Sequence, residues 1–297
     1  MATAREPEAR ATTGVLPMVV AAGLFAVMAL IAKRAAHRLP GPEVACIRFV
    51  VGLFACAVAS TRIRFRAHNW TGLMLRGAFG GAAVLCYFLA IEHLPVGMAT
   101  LLNYTAPVFT ALWAALFLAE PVGRAALGAL GITTVGVGLV IYGAAPPGTL
   151  GFGTWQLVGI GSAILSGAAV ATIREVRKTD GSWEIFGAFC LVGALITGVP
   201  TARNWVAPDT REWGLAIAVG TLSVVAQLLM TYSLRYMRAA VAGIVMQLTP
   251  VASLLFGYLL FDERTAGVAL GGAAITLTGV CWGAWIAAKP QVPVEEP

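Results

Sequence analysis

The chain has 297 residues, of which 59% are apolar and 11% charged, and its mean hydropathy is +0.82. Soluble domains carry about 45–50% apolar and about 25% charged residues, so 20 Lys and Arg with 14 Asp and Glu leave too little charge to coat a water-soluble globule, and an all-α integral membrane protein is expected. The net charge of +6 is scattered between apolar runs, which excludes the continuous basic stripe of a nucleic-acid binder.

A helix crossing about 30 Å of hydrocarbon needs roughly 20 residues, and punctuation by Pro, Gly and charge divides the chain accordingly. Residues 1–13 form a polar tail, expected in the cytoplasm. Its Arg5 and Arg10 before an apolar run imitate a secretory signal, but no small-residue cleavage site closes that run, so a retained first helix is expected. Predicted spans follow at 14–36, 42–60, 70–91, 95–119 and 124–143. The turn-rich stretch 144–153 links them to five more, at 154–174, 182–202, 211–235, 239–261 and 265–288, and 289–297 form a C-terminal tail. Lys and Arg of short loops stay cytoplasmic. With the N-terminus inside, Arg5, Arg10, Arg62, Arg64, Arg66, Arg76, Arg124, Arg174, Arg177, Lys178, Arg235, Arg238 and Lys289 fall on the cytoplasmic side, against six cations outside. Both termini are therefore expected in the cytoplasm and the protein in the plasma (inner) membrane. The five cysteines, Cys46, Cys56, Cys86, Cys190 and Cys281, lie inside apolar segments without a C-x-x-C and read as small buried side chains.

The chain repeats itself. Shifted by 143 positions, Pro107 falls on Pro250, Glu120 on Glu263, Gly128 on Gly271, Thr133 on Thr276 and Gly136 on Gly279 in one ungapped frame, with many aliphatic matches between. At an offset of 141, Ala22, Leu24, Glu43, Val51 and Gly52 fall on Ala163, Leu165, Glu184, Val192 and Gly193. Each unit holds five predicted helices, and an odd number of crossings forces the second copy to enter the membrane from the other side. The expected architecture is ten transmembrane helices as two inverted five-helix repeats, residues 14–143 and 154–288, with the symmetry that supports alternating access.

The stretch Leu94-Pro-Val-Gly-Met-Ala-Thr-Leu-Leu-Asn-Tyr-Thr-Ala-Pro107 leading to Leu116-Phe-Leu-Ala-Glu120, and its echo from Met246-Gln-Leu-Thr-Pro250 to Leu260-Phe-Asp-Glu263, resemble the EamA family of the drug/metabolite transporter superfamily. Arg48 in Ile47-Arg48-Phe49 matches the family's arginine in the second helix. The resemblance spans nearly the whole chain. It implies a ten-helix exporter or permease whose central cavity is formed mainly by helices 1, 3 and 4 of one repeat and 6, 8 and 9 of the other, and it leaves the substrate open.

Several residues stand out within the predicted spans. Pro107 and Pro250 fall in the middle of helices 4 and 9, where proline removes a backbone hydrogen bond and frees the carbonyls of Asn103 and Met246, so both are expected to kink their helices, either as gates beside the substrate or as fixed packing kinks. Asn103, Tyr104, Gln227 and Gln247 are too polar to face lipid, and serve either as substrate contacts or as interhelical hydrogen bonds of about 1 kcal/mol each. Ser223, Gln227 and Thr231 share one helix face, as do Arg76, Gly80, Ala83 and Tyr87, whose ring is a further cavity candidate. Arg48 begins about 9 Å into helix 2 and is expected to bind a substrate anion, pair with Glu43 or snorkel outward. Glu120 and Glu263 close helices 4 and 9 as gates or structural carboxylates. Gly-x-x-x-Gly spacings at Gly77/Gly81, Gly267/Gly271 and Gly279/Gly283 read as packing faces, or as a homodimer surface on helix 10.

These features favour a secondary transporter, in the exporting direction, of a small organic metabolite such as an amino acid. A multi-pass membrane enzyme needs catalytic groups at one depth, yet His37, His68 and His93 lie near three different helix ends. A channel needs a filter or charged ring, and a receptor-like protein is the remaining alternative. No metal or cofactor site is expected, and no P-loop for ATP occurs. The expected partners are a small-molecule substrate, the lipid bilayer and, through helix 10, a second copy of the chain.

Overall fold

The structure, a computed structural model, describes residues 5–35, 38–94, 99, 102–119, 122–144, 153–261 and 267–288. Among them run eleven helices: α1 (Arg5–Ala35), α2 (Gly41–Ser60), α3 (Trp70–His93), α4 (Ala106–Phe117), α5 (Arg124–Ala144), α6 (Thr154–Val176), α7 (Ser182–Arg203), α8 (Thr210–Ser233), α9 (Ala239–Met246), α10 (Leu248–Phe261) and α11 (Gly267–Ala288). Seven contain stretches long and apolar enough to cross a bilayer. Helices are the expected solution in lipid, where every backbone N–H and C=O must find its partner within the chain. The outward faces confirm which solvent this is: Phe54 is 71% exposed and Leu195 66%, both in mid-helix, so hydrocarbon must cover them. The protein is a multi-pass membrane protein.

Local chemistry fixes several boundaries. The Asn69 side chain accepts from the Gly72 N–H at 2.8 Å and caps α3. Asp209 and Glu212 form a reciprocal capping box at α8. α2 starts with Pro42 in its first turn, where its missing N–H costs nothing. Three features differ from expectation. α1 begins at Arg5, because Arg, Glu and Ala of the expected tail are good helix formers. The spans expected as unbroken at 95–119 and 239–261 are interrupted at Tyr104–Thr105 and at Gln247.

Two helix pairs organise the core. α5 packs along α11 in antiparallel fashion: Gly128 lies under Trp282, Gly136 against Thr276, and Gly143 against Ala269. A Cβ on Gly136 would lie 2.5 Å from Thr276 N and Oγ1, and one on Gly279 would lie 2.6 Å from Thr133 Cγ2. Thr133 and Thr276 are fully buried and turn their hydroxyls onto their own helices, to the Ala129 and Gly272 carbonyls at 3.0 and 2.9 Å. α2 crosses α7 in the same sense, with Gly52 against Cys190 and Gly193 against Phe49. Around these pairs α3 packs on α6 and α7, and α8 on α1 and α2.

The glycine spacings resolve differently from one another. Gly77 and Gly81 receive α7 at Ala188, Val192 and Gly193, while Gly279 and Gly283 receive Thr133 and Ile244 of the same chain. The Gly279/Gly283 face is therefore internal rather than a dimer surface. Gly267 and Gly271 meet nothing within 4 Å. Of the cysteines, Cys56 and Cys190 are buried, Cys46 and Cys86 half-buried, and Cys281 is exposed on the outside of α11, contrary to the expectation that all five are buried.

Candidate functional site

The two prolines act by breaking their spans. Pro107 is the second residue of α4 and Pro250 the third of α10, so neither is the mid-helix kink expected from the sequence. Proline has no N–H, and its ring collides with the carbonyl four residues back. The chain responds with a tight turn: the Thr105 N–H bonds the Leu102 carbonyl at 3.2 Å and the Val108 N–H the Thr105 carbonyl at 3.0 Å. Val108 thereby abandons the carbonyl of Tyr104, its ordinary helical acceptor. Besides the Asn103 carbonyl expected to be freed by the proline, that of Tyr104 becomes available.

Its partner comes from the other half of the chain. Gln247 Nε2 donates to the Tyr104 carbonyl at 3.2 Å, and these are the positions related by the offset of 143. Gln247 is fully buried, and its Oε1 has no hydrogen-bond partner among the described residues. Gly243 of α9 lies on the Pro107 ring, with a virtual Cβ 3.1 Å from Pro107 Cβ, which brings the two broken spans together. Tyr104 neighbours Thr249 and Tyr87, and Tyr87 is half-buried against the cluster of Ala35, Leu39 and Phe88. Asn103 Nδ2 donates to Ser162 Oγ of α6 at 2.9 Å. Asn103, Tyr104 and Gln247 thus gather where α4, α6 and α9 meet, with Tyr87 of α3 beside Tyr104.

Gln227 belongs to a second cluster. It is 8% exposed on α8, in line with buried Ser223 and Thr231, and its Oε1 accepts from Arg76 Nη2 at 3.2 Å. Arg76, counted from sequence as a cytoplasmic loop cation, is only 3% exposed within α3. Its guanidinium carbon lies 4.0 Å from the centre of the Phe189 ring, and Arg48 lies 5.8 Å from the same ring and 5.2 Å from that of Phe49. Gly80 makes room for this: a Cβ there would strike the Arg76 guanidinium and come within 2.8 Å of the Phe189 ring. Arg48, 7% exposed, neither snorkels nor pairs with Glu43. Glu43 is fully buried and accepts instead from the Val206 N–H at 3.0 Å.

Carboxylates secure the helix ends. Glu43 holds the segment after α7 through Val206, and Glu184, its equivalent at the offset of 141, holds the segment after α2 through the Arg66 N–H at 3.1 Å. Asp180 accepts from the backbone N–H groups of His68 and Asn69 at 2.7 and 3.1 Å and from the Thr179 hydroxyl at 2.6 Å. Burial pushes its carboxyl up, yet these hydrogen bonds outweigh burial and hold it below the usual aspartate value. Glu212 takes a forked contact from Arg38, through Nε at 2.7 Å and also through Nη2, and Arg38 reaches the Ala207 carbonyl at 3.0 Å. The expected gates Glu120 and Glu263 lie outside the described residues. A basic cavity of about 320 Å³ beside Asp180 is lined by Arg174, Arg177, Lys178 and Arg235, none of which belongs to either polar cluster.

Sequence reasoning missed Arg76, Ser162 and Phe189. Arg76 stood inside a predicted span, six residues past its start, and that position was the available signal. Phe189 aligns with Arg48 at the offset of 141, but an aromatic residue in an apolar helix carries no mark of its own.

The EamA-like transporter family matches residues 12–142 and again residues 153–283. The pseudopaline exporter CntI of Pseudomonas aeruginosa is 27% identical over 266 residues, covering 89% of this chain and 93% of the exporter. A riboflavin transporter of Rhizobium johnstonii is 26% identical, with 91% of this chain and 90% of the transporter covered. Mouse solute carrier family 35 member G1 is 24% identical, with 95% and 83% covered. A solved crystal structure superposes with a TM-score of 0.81 at 20% identity, covering 93% of this chain and 98% of the other, and so shares the fold. These relatives are transporters rather than enzymes, and the two matches together take in most of the sequence: the chain belongs to the EamA-like transporter family and is a membrane transporter.

Proposed function

We propose that this transporter exports a small organic metabolite, such as an amino acid, by alternating access of two inverted five-helix repeats, residues 14–143 and 154–288. The observation that carries the reading is reciprocal packing. Gly136 meets Thr276 while Gly279 meets Thr133, and Gly52 meets Cys190 while Gly193 meets Phe49. Each pair exchanges into the other under the repeat offset, and α5 with α11, like α2 with α7, run antiparallel. Equivalent helices that cross antiparallel and reciprocally are what a two-fold axis in the membrane plane produces. Glu43 and Glu184, securing equivalent segments at opposite ends, fit the same axis.

On this reading the paired helix breaks border the substrate path, because irregular backbone at membrane depth is tolerated beside protein or a wet cavity. Tyr87, Asn103, Tyr104, Gln227 and Gln247 are the candidate contacts, and the turns before Pro107 and Pro250 are the flexible points. Both termini lie in the cytoplasm and the protein sits in the plasma membrane. The outward direction rests on the exporter among the relatives. The open Gly267/Gly271 face is the remaining surface for a homodimer.

Counterflow in proteoliposomes loaded with amino acids, nucleosides and riboflavin, read by mass spectrometry with and without a pH gradient, tests the carrier. Saturable exchange of one solute class is expected, and no exchange of any solute by folded protein would refute it. A reporter fused after Pro146 should lie outside and one after Lys178 inside; reversed signals would overturn the orientation.

A further inference from the structure

The buried arginine pair is out of balance electrically. Arg48 and Arg76 are 7% and 3% exposed, and among the described residues the Nε of each is buried without a hydrogen-bond partner. Among the described residues Arg76 donates to the neutral Gln227. The carboxylates at the helix ends are engaged elsewhere: Glu43 with Val206, Glu184 with Arg66, Asp180 with His68, Asn69 and Thr179, and Glu212 with Arg38. Among the described residues neither arginine has an acidic partner. Both lie within reach of one ring, that of Phe189, which attracts each cation while the two cations repel one another. Ring attraction offsets part of the cost of stripping water from a guanidinium, and unpaired buried charge is otherwise strongly disfavoured.

The location is as informative as the charge. Arg48 and Phe189 occupy equivalent positions in the two repeats, beside the Gly52/Cys190 and Phe49/Gly193 crossing of α2 and α7. That crossing lies on the proposed two-fold axis. Gly80, with no side chain, leaves the space into which the Arg76 fork folds.

We propose that Arg48 and Arg76, steadied by Gln227 and Phe189, bind an oxyanion group of the transported solute, a carboxylate or phosphate whose charge supplies the missing counter-ion. The inference names the substrate class and rests on the transporter reading. Two guanidiniums present forked donors matched to carboxylate or phosphate oxygens, and two uncompensated charges suit a solute with two anionic groups, an acidic amino acid included, better than one without net charge.

The test is thermal unfolding of the purified full-length protein in dodecyl maltoside at constant ionic strength, titrated with succinate, glycerol 3-phosphate and the neutral polyol erythritol. A saturable rise in Tm with succinate, glycerol 3-phosphate or both is expected, and none with erythritol. Response to one anion alone assigns a dicarboxylate or a phosphate monoester accordingly. Arg48→Met and Arg76→Met should abolish the response, or raise the half-saturating concentration tenfold or more, while unliganded Tm equals or exceeds wild type because an unpaired buried charge is gone. Gln227→Met, which keeps both charges, should weaken the same anions several-fold. Absence of any anion response, an unchanged response in the Arg→Met variants, a lower unliganded Tm for them or failure to obtain them folded would overturn the proposal, as would stabilisation by phosphatidylglycerol alone. Binding is read here without transport, so failed counterflow with intact anion binding would refute the carrier and leave the site standing.

Discussion

Replacing Gly136 by alanine tests the reciprocal packing directly. The added Cβ would stand 2.5 Å from Thr276 N and Oγ1 and 2.8 Å from the Gly272 carbonyl oxygen. Two of these three atoms are backbone, so no side-chain rotation relieves the clash, and α11 must retreat by about 1 Å to restore ordinary contact. A gap of 0.5–1 Å forfeits about a quarter to a half of each dispersion contact it opens. Spread along α5 and α11, and reduced by local adjustment, the loss should be about 1–3 kcal/mol. Gly279→Ala meets Thr133 Cγ2 at 2.6 Å and backbone atoms at 3.0 and 3.1 Å, so a smaller loss of the same sign is expected. Gly138→Ala, with nothing within 4 Å, is the control and should leave stability unchanged or raise it by about 0.5–1 kcal/mol. Thermal unfolding in detergent reads all three. Gly136→Ala unfolding at the wild-type temperature, or together with the control, would refute the close antiparallel contact.

Three further outcomes follow from the hydrogen bonds. Gln247→Leu removes the donor to the Tyr104 carbonyl but also the unpartnered Oε1, so the net loss should stay near 1 kcal/mol; an unchanged Tm would show that the bond between the broken spans contributes nothing. Asp180 titrates below its unfolded value, so its contribution to stability is fully present above the unfolded pKa of about 3.9 and is lost as pH falls through the folded pKa. Tm should therefore fall more steeply from pH 5 to pH 3 in the wild type than in Asp180→Asn, and parallel curves would count against the assignment. Glu43→Ala should speed amide hydrogen exchange in 204–209, and Glu184→Ala in 61–68, each without disturbing the other segment; coupled or absent changes would contradict two separate locks.

The membrane-spanning helices were legible in the sequence because hydropathy and length alone identify segments that lipid must solvate. The duplication was legible too, since a proline, a glutamate and paired glycines recur in one frame, and that frame places Gly136 and Gly279 in the core together. What a repeat in one dimension leaves open is how the copies touch. The response of Tyr104 to Pro107 illustrates this: loss of the N–H is written in the residue type, but whether the helix bends or breaks depends on what receives the freed carbonyl, and Gln247 is 143 positions away. Arg76 illustrates it again, because a cation near a helix end is a loop charge or a buried one according to the neighbours that surround it. Sequence thus determined where apolar length and backbone covalency suffice. Tertiary structure decided the break partners, the arginine pair on Phe189 and the internal face of Gly279 and Gly283, all of which arise from contacts between helices distant in the chain.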